Sequence, residues 1–110
     1  MAITYKDAIL EPAPSADTTI YTTPTVTSAH IIYGSVHNTT TSNVSITVNI
    51  VQSGDSVATT NKYLSETVPA GRSIKLTDII NAVLNTGDIV NVNSSEANSL
   101  NVKLGIKEIT

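Results

Sequence analysis

Among its 110 residues the chain has no cysteine, no tryptophan and no phenylalanine. Without cysteine, a disulfide framework, a zinc–thiolate centre and a thiol nucleophile are all excluded. Without Phe or Trp, and with four Tyr, the core has to be built from Ile, Val, Leu and Ala. Charge is sparse as well: 14% of residues are charged, the net charge is −3, and the six Lys and Arg are scattered along the chain. Binding nucleic acid by phosphate neutralisation needs clustered basic residues, so no nucleic-acid partner is expected. No apolar run approaches the ~20 residues that a membrane-spanning helix requires. The opening MAITYKDAIL has neither a basic n-region nor a long apolar h-region and is expected not to be a signal peptide. The sequons at Asn38, Asn43 and Asn93 are then chance matches in an Asn- and Thr-rich chain.

What the chain does contain is hydroxyl and amide: 17 Thr, 12 Ser and 10 Asn. Thr suits the wet face of a pleated strand, while Ser and Asn suit turns. The clearest pattern is a period of two near the C-terminus. Leu100, Val102, Leu104 and Ile106 fall on one face, and Asn101, Lys103, Gly105 and Lys107 on the other. Val44, Ile46, Val48 and Ile50 repeat it. This alternation is the signature of strands with one buried and one solvated face.

Further strands are expected at Ser28–His37, Ala58–Val68, Arg72–Leu76 and Ile89–Asn93, with turns at Gly54, Gly71 and Gly87. Thr77–Asn85 fits either a short helix or an irregular strand. Seven or eight short strands with a turn signal every ~8–12 residues predict an all-β protein, an antiparallel β-sandwich that is Ig-like or jelly-roll-like. Residues 1–27 read differently. Pro12 and Pro14 interrupt them, and each proline removes a donor and fixes φ. An extended N-terminal arm with an edge strand over 1–27, followed by the sandwich domain over 28–110, is therefore expected. Ile3, Tyr5, Ile9, Leu10, Ile20 and Tyr21 are the candidate protein-interaction residues on that arm.

Residues suited to chemistry do not group by spacing. His30 and His37, the only histidines, are seven apart and would face opposite ways on one regular strand. The acids sit singly, mostly at turns. Nucleophile elbows and phosphate-binding glycine loops are missing from the sequence. The expectation is a protein that is not an enzyme, with no cofactor and no metal.

The order of motifs is informative. MAITYKDA is followed by Thr19-Ile20-Tyr21-Thr22-Thr23-Pro24. Then come Tyr63-Leu64, Val68-Pro69-Ala70-Gly71-Arg72-Ser73-Ile74, Gly87-Asp88-Ile89-Val90 and a closing Leu104-Gly105-Ile106-Lys107-Glu108-Ile109-Thr110. This series resembles a broad group of small virion structural proteins of tailed bacteriophages, over nearly the whole chain. It departs from them where Thr23-Pro24-Thr25-Val26 replaces a VPAG-like first turn, and in a longer stretch before Gly87. The resemblance implies a capsid decoration or cement protein that ties major capsid subunits together. It would be a homo-oligomer, with a trimer favoured, located in the virion and assembled in the host cytoplasm. A neck, collar or tail component, or a receptor- or carbohydrate-binding fibre module, is the alternative.

Overall fold

The computed structural model describes residues 2–110. It contains nine strands: β1 (Ile3–Leu10), β2 (Thr18–Thr22), β3 (Ser28–Asn38), β4 (Val44–Val51), β5 (Lys62–Val68), β6 (Ser73–Lys75), β7 (Val83–Leu84), β8 (Ile89–Ser94) and β9 (Leu100–Ile109). One sheet runs β1-β9-β3-β6, with β7 also on β3, and the other runs β2-β8-β4-β5. Every pairing is antiparallel.

The pairs are nested: β4 with β5, β3 with β6, β2 with β8 and β1 with β9. The chain thus resembles one long hairpin, its tip at β4–β5 and its open end at β1–β9, rolled until it closes on itself as two facing sheets. That connectivity makes the sandwich a jelly roll rather than an Ig-like fold, with the two-residue β7 as an addition.

The period of two holds. Leu100, Val102, Leu104 and Ile106 of β9 are buried against Val44, Ile46 and Val48 of β4 and Val90 and Val92 of β8 in one aliphatic core. Each such side chain contributes roughly 1.5–3 kcal/mol when fully buried. Residues 77–85 divide between the two expectations. Thr77–Ile79 is a single 3-10 turn that buries Ile79, and Val83–Leu84 is a short strand. Thr59–Asn61, expected within a strand, is a 3-10 turn as well.

The N-terminal segment is not an extended arm. All eight residues of β1 pair with β9, Ile3 opposite Ile109 through Leu10 opposite Val102. β2 pairs with β8 in the other sheet. Between them Ala13 is fully buried, and its N–H donates to the Leu100 carbonyl at 2.7 Å. The prolines that interrupt the segment therefore mark the point where the chain steps from one sheet to the other, and β1 and β2 belong to the same two sheets as the strands of residues 28–110. At the open end of the roll, Ala2 and Thr110 exchange both backbone hydrogen bonds, at 3.1 and 3.0 Å.

The histidines depart from expectation too. A register shift between Ile31 and Tyr33 inserts an extra residue into β3. It restores the parity, so His30 and His37 both lie among the outward positions of the strand. They remain far apart along it, and His37 Nδ1 is 2.7 Å from Ser73 Oγ.

Candidate interaction surface

β1 forms one outer edge of its sheet. Because Ala2 and Thr110 exchange hydrogen bonds, the alternation of an antiparallel ladder assigns the remaining groups. Thr4, Lys6, Ala8 and Leu10 direct their N–H and C=O toward β9. Ile3, Tyr5, Asp7 and Ile9 direct theirs away from it, along the edge of the sheet, where no further strand lies among the described residues.

These four residues also place their side chains on the outer face of the sheet. Tyr5 is 66% exposed, and Ile3 and Ile9 are each 48% exposed. Ile32 and Tyr33 at the bulge of β3, and Val83 on β7, add to the exposed apolar area. Tyr5, Asp7, Ile32 and Gly105 line a shallow depression. A Cβ on Gly105 would come within 3.2 Å of Tyr33 Cβ, so the glycine is what lets the bulge lie close on β9. Asp7 is 3.7 Å from Lys103 Nζ beside this depression.

On the inner side the same strand carries a charge. Lys6 Nζ lies 3.0 Å from Glu108 Oε1, and the Tyr21 hydroxyl donates to Glu108 Oε2. Glu108 is 6% exposed and Tyr21 is 8% exposed. Burial pushes the Glu108 carboxyl up, but the Tyr21 and Lys6 hydrogen bonds and the Lys6 charge outweigh it, leaving Glu108 below the usual carboxylate range. Burial pushes the Tyr21 hydroxyl up, and the hydrogen bond to Glu108 and its negative charge raise it further.

The outer face of the second sheet carries Thr47, Ser65 and Thr67 together with the exposed Tyr63. The segment after β4 folds back over it and is held there by Asn49, whose Nδ2 donates to the Ala58 carbonyl at 2.9 Å and to Asn61 Oδ1 at 2.8 Å. Beside it runs a groove lined by Asp17, Thr47, Lys62 and Asn93. Asn93 donates to the Ser15 carbonyl and to Asp17, so its amide is engaged by the chain itself. Among the described residues, no group of three or more His, Asp or Glu is placed to share a metal ion. Also among them, no helix is long and apolar enough to cross a membrane.

The structure separates the six candidate interaction residues into two sets. Ile3, Tyr5 and Ile9 lie together on the exposed outer side of β1. Leu10 and Ile20 pack partly against the core, and Tyr21 is buried within it. Ile32, Tyr33 and Val83 add to the exposed surface of this sheet, and Ile32 and Val83 were not anticipated from the sequence. The bulge that brings Ile32 and Tyr33 outward leaves no periodic trace. Glu108 was not singled out either, although it continues the even-numbered buried series of β9.

No family model matches the chain, and neither does any curated protein. Among solved structures it is similar to a protein from Bacillus described in the words "Bacillus endospore appendages form a novel family of disulfide-linked pili". The TM-score is 0.55 at 18% identity, over 98% of this chain and 88% of that one. At this identity the likeness concerns the fold. The all-β sandwich is thus shared with that protein.

Proposed function

We propose that this protein is a non-enzymatic structural subunit whose work is done by lateral contact with other protein. The observation that carries this reading is β1: an eight-residue edge strand with outward-directed backbone groups, flanked by exposed Ile3, Tyr5 and Ile9. Sheet edges of this kind are templates for pairing with a further chain. The hydroxyl- and amide-rich composition supports the same reading, since such faces are desolvated at lower cost than charged ones.

In its finer form the proposal is a decoration or cement protein of a tailed-phage capsid, bound in many copies to the major capsid protein. The order of sequence motifs supports it. Weak contacts repeated over a shell become strong through multivalency. The second reading is a subunit of a surface fibre, and the pilus protein of similar fold favours it. A fibre built from this chain would have to be held without disulfides, because the chain has no cysteine.

Electron microscopy of the purified protein, alone and mixed with expanded phage capsids, separates the readings. Discrete oligomers that coat the whole shell support cement, and label at one vertex supports a neck component. Filaments formed by the protein alone support the fibre. A monomer that joins neither would refute the structural-subunit reading.

A further inference from the structure

We propose that β1 is a self-complementary edge, at which two copies of this chain pair antiparallel with Ile3 opposite Ile9 and Tyr5 opposite Asp7 of the second copy. The inference rests on the structural-subunit reading and specifies its contact. Among the described residues, five strands lie at sheet edges: β1, β2, β5, β6 and the two-residue β7. β6 has three residues, β2 has five and is interrupted by a register shift, and β5 has seven and meets β4 across a shift. β1 has eight residues and pairs with β9 without interruption, so its outer edge is the longest regular one.

Symmetry then restricts the register. A two-fold axis between antiparallel edge strands stands perpendicular to the sheet, so outward side chains must meet outward side chains. The backbone imposes the same parity. Only Ile3, Tyr5, Asp7 and Ile9 direct N–H and C=O outward, so these residues must face one another across the seam. Three registers satisfy both conditions well enough to compare. Asp7 opposite Asp7, or Tyr5 opposite Tyr5, leaves one of the four residues without a partner within β1. The first of these also sets two carboxylates directly across a strand pair, which is destabilising.

Centring the axis on Lys6 engages all four residues. It forms about eight inter-chain hydrogen bonds, two for each hydrogen-bonded pair. Ile3 and Ile9 make an apolar contact at each end, and the Tyr5 hydroxyl side lies against Asp7. The two Lys6 residues meet on the inner side, but each ammonium is already 3.0 Å from its own Glu108. The two five-stranded sheets become one continuous sheet, and Ile32 and Tyr33 on β3, two strands in from the seam, extend its apolar outer face.

Tyr5→Pro tests this. It removes an N–H that points away from β9, and proline is tolerated on edge strands at such positions. Lys6→Pro is the control that breaks β1 from β9. Sedimentation equilibrium of the full chain is expected to give a dimer that Tyr5→Pro converts to a monomer with its melting transition retained. In parallel, Thr4→Cys and Ala8→Cys proteins are mixed and oxidised. They should cross-link as a heterodimer in the mixture and far less when each is alone, because positions 4 and 8 face each other in this register. The chain has no other thiol to interfere. A monomeric parent overturns the proposal, whatever other strand the edge accepts. An oligomer that survives Tyr5→Pro, or a mixture that fails to cross-link, also overturns it while leaving the structural-subunit reading intact.

Discussion

Tyr21, on the edge strand of one sheet, donates its hydroxyl to the buried carboxylate of Glu108 on β9 of the other sheet. This bond crosses the sandwich at the end where the aliphatic core stops. Lys6 reaches the same carboxylate from β1, so three strands meet on one acid. The two contacts differ in weight. Lys6 is 46% exposed in its side chain, and such ion pairs contribute ~0–1 kcal/mol. The Tyr21 bond is buried and ends on a charge, where ~1.5–3 kcal/mol is usual. Tyr21→Phe is therefore expected to destabilise the protein more than Lys6→Ala, as measured by chemical denaturation. A larger loss in Lys6→Ala would reverse this assignment.

The same acid gives a pH dependence with a definite sign. Glu108 is held below its unfolded value. Its contribution is therefore fully present above about pH 4.3 and is lost as pH falls through the lower folded value. Tyr21 is shifted up, so its contribution is complete below about pH 10 and is lost as pH rises beyond that. Melting temperatures of Glu108→Gln should fall less steeply below pH 4.3 than those of the parent. Parallel acid limbs would show that other carboxylates set the slope.

Removal of residues 1–10 should abolish folding rather than release a loose terminus. The deletion would bare the full length of β9 and uncover Ala8 and Leu10, which pack against the core. Far-UV circular dichroism and amide dispersion in NMR report the result. A truncated protein with a native melting transition would return β1 to the status of an appendage.

Val102 and Val48 are 1% and 0% exposed. Val102→Asp or Val48→Asp would bury an unpaired carboxylate at a cost of several kcal/mol, comparable with the stability of the whole domain. Lys103→Ala, on the wet face of the same strand, should change stability by less than about 1 kcal/mol. Soluble expression and thermal melts distinguish them.

Gly87 has φ +83°, and a Cβ there would come within 2.6 Å of Ser53 Oγ and 2.9 Å of Ser53 Cβ. Its turn is clamped by Asp88, whose carboxylate accepts from Ser53 N–H at 3.1 Å and Asn85 N–H at 2.9 Å. Gly87→Ala is expected to cost at least about 1–2 kcal/mol, the strain of a left-handed residue before the clash is added. Equal denaturation midpoints for parent and variant would contradict that geometry.

The alternating strands and their turns could be read from the sequence because side-chain parity alone decides which residues are buried. Leu100 to Ile106 and Val44 to Ile50 show this plainly. Two kinds of feature escaped. β1 carries Lys6 and Asp7 at its centre, and as an edge strand it buries little of either face, so composition gave it the look of an arm. Its partner β9 lies almost a full chain length away, and pairing over that separation leaves no local signal. The bulge at Ile32 was hidden because an inserted residue breaks the very alternation used to find strands. It moved His37 to the side of His30 and exposed Tyr33. Glu108 was legible in principle: it has the parity of Leu104 and Ile106, and an acid in a buried series calls for a donor such as Tyr21.

The mutual hydrogen bonds of Ala2 and Thr110 have a topological consequence. Ala2 and Thr110 are neighbours in space, so a short linker that joined these two residues would close a circle without disturbing either sheet. New termini could then be opened at an exposed turn such as Gln52–Asp55, giving a circular permutant with the same strand order in space. The same proximity suits the domain to insertion as a cassette into a surface loop of another protein, entering and leaving its host at a single point.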